Sequence, residues 1–523
     1  MERQTGSYHE KGGAGVILFA SSILSAVLLT LSFPKFGCAF LAPVALAPYF
    51  CALLIRKEGT WKGVFFSAYL LGLVWHVASI WWLSYVSCAG MLALSAFLAL
   101  LFAAFILLAV YFARKGFCPA LSFALFILFY ELTISYLFTG FPWLLLGMAL
   151  HKNPLLIQTA DIFGVHFISF LLAFTSASIA TVACERSVRS IVPFASVLLL
   201  WTLSACYGFY RIRELGSEEP LKSARVSMVQ LNLPPELKHD DKRDEETLDD
   251  YLKATAKVAK ESELVIWPET GVPGIYNDYA NTAIKELRRF RTEYDVPLLC
   301  GLTWAEKDKE GEIKFYNAAA LLNNAAMLPM ERYYKKHLVI FGEYVPLERY
   351  LPFLKLLTPI AVSYTPGERS HVLDFKTSNG AVLKLGALIC FEDVFPKSAR
   401  EAVKEGADIL VNLTNDGWFF DSPGAYQHAA LSSFRAIETR RELLRSSNTG
   451  ITVLIDRLGK EKALLTSEGK SVMVSGELLC RADVYSPRET IYAKYGDLGL
   501  FVPAFLVFLT GLLFRNPKSV LVK

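Results

Sequence analysis

Three residues of chemically reactive type follow apolar runs in the second half of the chain. Glu269 comes at the end of VIWPE, Lys335 lies in ERYYKKHLVIFGEYVP, and Cys390 closes LGALIC. A thiol is a nucleophile only as a thiolate, so it needs a base or a cation nearby. A carboxylate in a partly apolar site can exchange a proton with it, and a lysine can hold an oxyanion. Taken singly, each residue has a more ordinary explanation: a turn carboxylate, a solvated lysine pair and a small buried core residue.

The elements that would position these residues form an alternating pattern from Ala224 onward. Short β-rich runs alternate with helical stretches, which predicts an α/β layered domain whose core strands are near-continuous apolar runs. The three residues stand at predicted strand ends, where such sheets usually place their ligands. The predicted strands are 224–232, 263–270, 297–301, 315–323, 383–390 and 408–413, and the predicted helices are 243–262 and 281–293.

The chain as a whole is rich in apolar residues, and its first half contains very few charged ones. Hydrophobic residues make up 53% of the 523-residue chain and charged residues only 20%, which argues against a disordered or purely soluble protein. Only thirteen charged residues lie between Gly15 and Tyr210. A helix needs about 20 apolar residues to cross a bilayer, and we predict eight spans: 15–32, 38–55, 63–86, 91–113, 119–139, 155–183, 191–210 and 497–514.

The distribution of Lys and Arg predicts how these spans are oriented. With the N-terminus in the cytoplasm, twelve Lys and Arg fall in inside segments, whereas only Lys35 and Lys152 fall in outside loops. We therefore expect a transmembrane bundle over 1–214, a catalytic domain over 215–495 on the outer side, and a last span with a cytoplasmic tail over 496–523. We interpret the first apolar segment as a retained anchor.

Several other classes of site have little support. A net charge of +4 is too small to indicate a nucleic-acid partner, and the nine cysteines form no CxxC pair or metal-ligand spacing. We expect no metal and no cofactor. Glu131 and Asp161 lie within apolar spans, where they could form a headgroup or proton site. We favour an interhelical hydrogen bond or a helix-end position, because no basic residue stands at matching depth.

The flanking residues turn three weak candidates into one hypothesis. The strand followed by WPE, the KKHLVIFGEYVP segment and CFE resemble the Glu-Lys-Cys triad of the nitrilase superfamily. The spans and their insertion point are similar to those of the apolipoprotein N-acyltransferase family, and so are VQLN, YNA, NDGWF and residues 427–450. The resemblance covers nearly the whole chain, and it implies a helical membrane bundle with a nitrilase-like αββα sandwich outside the cytoplasm.

The resemblance also implies a role for each matching residue. Glu269 would be the general base, Lys335 the oxyanion-stabilising lysine and Cys390 the nucleophile. The accessory positions of the active site would be Glu343, Glu392, Asn317 and Phe391.

Two positions depart from the family pattern. Phe391 stands where a tyrosine is usual, and Lys238-His239 stands where a lysine-tryptophan pair is usual. The second departure leaves lipid contact at that loop open. Lys238, His239 and Trp418 are our candidate lipid or substrate contacts. The apolar stretch 350–362 fits equally a membrane-dipping arm and an ordinary buried helix with a loop.

The function implied is the last acylation of bacterial lipoproteins. Cys390 would take an acyl chain from a glycerophospholipid, and the thioester would pass it to the α-amine of a diacylglyceryl-cysteine at a lipoprotein N-terminus. The implied location is the bacterial inner membrane, and the chain could act as a monomer. A membrane-tethered amidase that passes the acyl group to water, or a non-catalytic lipoprotein-binding relative, are the alternatives. A transporter lacks support, because neither paired repeats nor clustered intramembrane charges occur.

Overall fold

A computed structural model of the chain describes residues 2–55, 60–185, 187–234, 243–278, 281–329, 331–346, 350 and 363–513. The chain divides into two compact units. Residues 1–216, 422–430 and 495–523 form the first, and residues 217–421 and 431–494 form the second.

The first unit consists of apolar helices. Its elements begin with the long helix α1 (Glu2–Ser32) and end with α15 (Leu498–Leu513). The helices between them in this unit are α2 (Ala47–Ile55), α3 (Trp61–Ile80), α4 (Ser84–Arg114), α5 (Pro119–Tyr136), α6 (Pro154–Ile157), α7 (Ala160–Phe163), α8 (Val165–Glu185) and α9 (Val188–Gly216).

Five stretches of the described residues are long and apolar enough to cross a membrane. One of them, Trp61–Arg114, contains both α3 and α4. The predicted span 38–55 is wrong as a single long helix, because only nine residues of it, Ala47–Ile55, form α2. Pro43 explains the break, since a proline inside a helix removes a hydrogen bond and clashes with the preceding turn. The count of eight spans stays a prediction.

The two acidic residues of the apolar half are both engaged within the first unit. Glu131 Oε1 accepts a hydrogen bond of 2.7 Å from the Leu146 backbone N–H. Asp161 accepts a hydrogen bond of 2.9 Å from the Tyr207 hydroxyl and forms an ion pair with Arg211 at 3.2 Å. These contacts agree with the favoured interpretation. The expectation that no basic residue matches them in depth is wrong, because α9 continues past residue 210 and carries Arg211.

The second unit contains two six-stranded sheets. One has the order β12-β1-β2-β3-β4-β5 and the other β11-β10-β9-β8-β7-β6. The strands are β1 (Lys222–Gln230), β2 (Leu264–Ile266), β3 (Leu298–Lys307), β4 (Ile313–Leu322), β5 (Arg332–Tyr334), β6 (Val372–Lys376), β7 (Val382–Ile389), β8 (Ile409–Thr414), β9 (Leu443–Ser447), β10 (Val453–Ile455), β11 (Glu461–Leu464) and β12 (Gly476–Val484).

The layers of this unit can be read from its two apolar cores. One core combines residues of both sheets, such as Val226 and Ile266 with Leu385 and Val411. The other joins the first sheet to the helices that follow β1 and β2, through residues such as Tyr251. The predicted α/β layered domain is therefore confirmed. Its helices are α10 (Asp244–Val258), α11 (Ala283–Glu293), α12 (Pro396–Lys404), α13 (Pro423–Thr439), which also enters the first unit, and α14 (Ile491–Tyr495).

The middle of each sheet is parallel, and this decides where the site lies. β1, β2 and β3 are parallel neighbours, as are β7, β8 and β9. The carboxyl ends of parallel strands meet at one edge of a sheet, and side chains that follow those strands can therefore converge.

Candidate active site

The three predicted triad residues each follow a strand of the second unit. Lys335 comes directly after β5, and Cys390 directly after β7. Glu269 does not end its strand, as the sequence predicted, because β2 stops at Ile266 and Glu269 lies three residues beyond. Cys390 has a φ of +50°, in the left-handed region that residues other than glycine rarely adopt. Such backbone strain concentrates at functional sites.

Lys335 lies between two carboxylates. Its Nζ is 3.2 Å from Glu269 Oε1 and 2.9 Å from Glu343 Oε2, and the lysine is 1% exposed. Burial by itself lowers the pKa of Lys335, but the charges of Glu269 and Glu343 outweigh it and hold the pKa well above its ordinary value. The side chain is therefore a fixed ammonium, suited to hold a developing oxyanion.

The two carboxylates are held by neutral donors as well. The Asn317 side-chain amide donates to Glu269 Oε1 at 2.7 Å and to Glu343 Oε1 at 2.9 Å. The backbone N–H of Asn415 donates to Glu269 Oε2 at 3.1 Å, and that of Val339 donates to Glu343 Oε2 at 2.9 Å. Because each carboxylate has several donors, its orientation is fixed before a substrate arrives.

The Cys390 thiol lies in the field of this cluster. Burial raises its pKa, the negative charge of Glu269 raises it further, and the Lys335 ammonium offsets part of the rise. The resting group is therefore a thiol, so attack on a carbonyl requires that a base take its proton as the new bond forms.

Glu392 accepts hydrogen bonds from backbone N–H groups next to the triad residues. Its Oε1 accepts hydrogen bonds from the Tyr333 hydroxyl at 2.7 Å and from the backbone N–H of Lys336 at 2.8 Å. Its Oε2 accepts from the Ile389 N–H at 2.8 Å. Burial raises the pKa of Glu392, and its backbone donors offset part of the rise. This carboxylate ties together the segments that carry Lys335 and Cys390.

The remaining candidates are distributed differently. Phe391 packs against Phe395 and His337, with ring centroids 5.0 and 6.0 Å apart. Trp418 is 39% exposed in the short helix Asp416–Phe419. Lys238 and His239 lie outside the described residues, as does 351–362, so of the proposed arm only the exposed Tyr350 is described.

Sequence reasoning missed a second buried cluster beside Cys390. Arg445 forms ion pairs with Asp393 at 2.7 Å and with Asp416 at 2.8 Å, and all three side chains are fully buried. Arg445 lies in the middle of the fully buried strand LLRSS, and a buried charge needs a partner. No group of three or more His, Cys, Asp or Glu that could hold a metal occurs in the part of the chain that the structure describes.

Comparison with family models covers most of the chain. Residues 25–178 match the model of the apolipoprotein N-acyltransferase N-terminal domain, and residues 225–494 match that of carbon-nitrogen hydrolase. Among solved structures, Saccharomyces cerevisiae Nit3, of the nitrilase superfamily, is 20% identical with a TM-score of 0.38, over 53% of this chain and 94% of its own.

Two curated relatives match nearly end to end. The apolipoprotein N-acyltransferase of Geobacter metallireducens is 34% identical over 500 residues, which cover 92% of each chain. That of Chlorobaculum tepidum is 30% identical over 530 residues, which cover 95% of each chain. The chain thus belongs to the apolipoprotein N-acyltransferase family.

Proposed function

We propose that the chain transfers an acyl group from a glycerophospholipid to the α-amine of the N-terminal diacylglyceryl-cysteine of a lipoprotein, through a thioester on Cys390. The observation that carries the proposal is the Lys335 ammonium, held between Glu269 and Glu343 in the same field as the Cys390 thiol. This set of groups supplies a nucleophile, a base and an oxyanion partner. Family membership supports the lipoprotein as the acceptor.

The first step forms the acyl-enzyme. Glu269 takes the thiol proton of Cys390 while Sγ attacks the ester carbonyl carbon, and the Lys335 ammonium stabilises the resulting oxyanion. The raised pKa of Cys390 favours proton transfer together with bond formation rather than a standing thiolate. The tetrahedral intermediate collapses, Glu269 returns the proton to the leaving alkoxide, and a lysophospholipid departs.

The second step passes the acyl chain to the acceptor. The lipoprotein α-amine attacks the thioester carbonyl, and Glu269 takes a proton from the attacking nitrogen. The carbon–sulfur bond breaks, the amide forms, and the proton on Glu269 returns to Sγ. Glu343 and Asn317 keep Lys335 and Glu269 in place through both steps.

The setting proposed for this chemistry is the bacterial inner membrane. Family membership and the apolar helices support a membrane protein. We propose a multi-pass chain with cytoplasmic termini, a catalytic domain over 215–495 on the periplasmic side and membrane segments over 1–214 and 496–523. Both substrates then reach a monomeric enzyme from the bilayer, with Trp418, Lys238 and His239 as contacts.

The test is acyl transfer by the purified full-length chain in detergent. A phospholipid with defined acyl chains and a synthetic diacylglyceryl lipopeptide are the substrates, and mass spectrometry follows the lipopeptide. We expect the lipopeptide to gain one acyl chain with the wild type. Cys390→Ala should abolish the gain, and Cys300→Ala, which alters a buried free thiol elsewhere in the same unit, should retain it.

The alternatives give different products. A membrane-tethered amidase would release free fatty acid and leave the lipopeptide mass unchanged. A binding protein would retain the lipopeptide without consuming phospholipid. Either result would overturn the proposed transfer.

A further inference from the structure

Thr414 is the last residue of β8, the strand next to β7, and has no role in the mechanism described so far. β7 and β8 run parallel, and their last register pair joins Ile389 to Leu413. The next residues along the two strands are Cys390 and Thr414, which therefore stand side by side. Thr414 is fully buried, and its hydroxyl offsets part of the rise that burial and nearby negative charge cause in the pKa of the Cys390 thiol.

A chain of buried polar groups continues from this hydroxyl. Thr414 Oγ1 is 3.2 Å from Asp416 Oδ1, and Asp416 Oδ2 is 2.8 Å from Arg445 Nη2. Arg445 Nη1 is in turn 2.7 Å from Asp393 Oδ2, in the short helix Cys390–Val394 that begins with the nucleophile. A Cβ atom added at Gly450 would lie 2.2 Å from Asp416 Oδ2, so the backbone there leaves the carboxylate little room to move.

The hydroxyl of Thr414 has one proton and two possible acceptors. One is the Asp416 carboxylate, and the other is Sγ of Cys390 once that atom is negatively charged. While Cys390 is a thiol, its S–H can donate to Oγ1 and the hydroxyl can donate to Asp416. When Sγ carries charge, rotation about one bond is enough to direct the hydroxyl proton to sulfur.

We propose that Thr414 is a further catalytic residue, whose hydroxyl turns from Asp416 to Sγ as the charge on Cys390 develops. Asp416 and Arg445 are positioning residues that hold this hydroxyl and the helix that carries Cys390. The inference rests on the proposed function, in which Cys390 is the nucleophile. The sulfur proton still moves to Glu269, and Thr414 keeps its own proton throughout, so only the direction of its O–H bond changes.

The charged groups around Cys390 explain why donation from the Thr414 hydroxyl would help to stabilise a negative charge on Sγ. Glu269 and Asp416 both oppose a negative charge on sulfur, whereas Lys335 favours it. Arg445, on β9, interacts with Cys390 and neutralises part of the charge of Asp416. A hydroxyl that donates to Sγ stabilises the negative charge that develops on sulfur during attack, and again when sulfur leaves the second tetrahedral intermediate. No further net charge is brought into the site.

The test measures how fast iodoacetamide alkylates Cys390 as a function of pH. The full-length chain in detergent is used, and the mass of the Cys390 peptide reports the modification. Alkylation of the exposed Cys88 serves as an internal reference. The variants are Thr414→Val, Thr414→Ser and Asp416→Asn, with Thr414→Ala in reserve if valine prevents folding.

Thr414→Val and Asp416→Asn should shift the pH midpoint of Cys390 alkylation in opposite directions. Thr414→Val removes the donor, so the midpoint of alkylation should rise and the rate below it should fall by about tenfold. Thr414→Ser should restore the wild-type profile. Asp416→Asn removes a negative charge near sulfur, so its midpoint should fall and its alkylation should be faster.

Two outcomes would overturn the inference. One is a Thr414→Val profile equal to that of the wild type. The other is a shift of Thr414→Val and Asp416→Asn in the same direction, as expected if both only support packing. Alkylation requires no lipid, so its result is separate from that of the proposed function. A wild type that never becomes acylated by phospholipid would refute the function and leave the alkylation profiles to decide the role of Thr414.

Discussion

The second unit contains two clusters with the same charges and different surroundings. In each, one cation lies between two carboxylates: Lys335 between Glu269 and Glu343, and Arg445 between Asp393 and Asp416. The glutamate side chains are 10% and 11% exposed, whereas the aspartate side chains are fully buried. Equal charge counts therefore do not indicate equal roles.

The two clusters suit different roles because lysine and arginine differ in their chemistry. Lysine is a compact charge on a flexible stem, and the two glutamates beside Lys335 remain partly exposed. Arginine is always charged and binds two carboxylates with a rigid planar group, which suits a sealed structural site. We therefore propose that the Lys335 cluster, called the open cluster below because its glutamates are partly exposed, carries the chemistry. We propose that the Arg445 cluster, called the sealed cluster, supports the backbone around Cys390.

The largest effect is expected from breaking the sealed cluster. Arg445→Met leaves two fully buried carboxylates without their cation, so the free energy of unfolding should fall by about 3–5 kcal/mol. Chemical denaturation of the purified chain in detergent measures this change. The matched control is Arg481→Met, because Arg481 is 62% exposed in its pair with Asp483 and should contribute at most about 1 kcal/mol. Equal losses for both variants would contradict the distinction.

Removing the cation of the open cluster should act mainly on rate. Lys335→Met deletes the proposed oxyanion partner, so acyl transfer should fall by about 10²–10³-fold. The neighbouring Lys336→Met is the control, because Lys336 pairs with Glu401 near the surface and should change the rate by about twofold at most. A Lys335 variant with the wild-type rate would remove this lysine from the mechanism.

A smaller effect is expected from the amide that bridges the two glutamates. Asn317→Ala removes a donor from Glu269 and from Glu343, and both carboxylates lose part of their fixed orientation. Acyl transfer should fall by about tenfold, measured with the lipopeptide assay. Asn323→Ala, at an exposed position of the same segment, should leave the rate unchanged. If both variants behave alike, the open cluster does not depend on Asn317.

The smallest effect is expected at the departure from the family pattern. The Phe391 ring packs against Phe395 and His337. Phe391→Tyr adds one hydroxyl without removing a contact, so the transfer rate should stay within about twofold. A gain of tenfold or more would show that a tyrosine hydroxyl completes the open cluster.

Part of the α/β unit could be predicted from the sequence, because several of its strands are largely apolar runs. The predicted strand 383–390 corresponds to Val382–Ile389, and the predicted helix 281–293 to Ala283–Glu293. The membrane half was less predictable in detail. Hydropathy does not distinguish a long helix from a short one, and in the apolar segment 38–55 Pro43 precedes the short helix α2, which begins only at Ala47.

The candidate site could likewise be predicted only in part. Motifs with a recognisable family pattern led to Glu269, Lys335 and Cys390, but a pattern does not specify which charges meet. Arg445 and Asp393 are 52 residues apart, and only the register of parallel strands places Arg445 opposite Asn412 and thus close to Cys390. Long-range pairings of this kind depend on tertiary structure and cannot be read from spacing alone.

The most direct test of the account is the intact mass of the chain after incubation with phospholipid alone. We expect a mass increase of one acyl chain that hydroxylamine removes, that maps to Cys390 and that is absent in Cys390→Ala. Addition of diacylglyceryl lipopeptide should then discharge the acyl group onto the peptide amine. A lipopeptide that becomes acylated while Cys390 never carries an acyl group would contradict the assignment of the nucleophile.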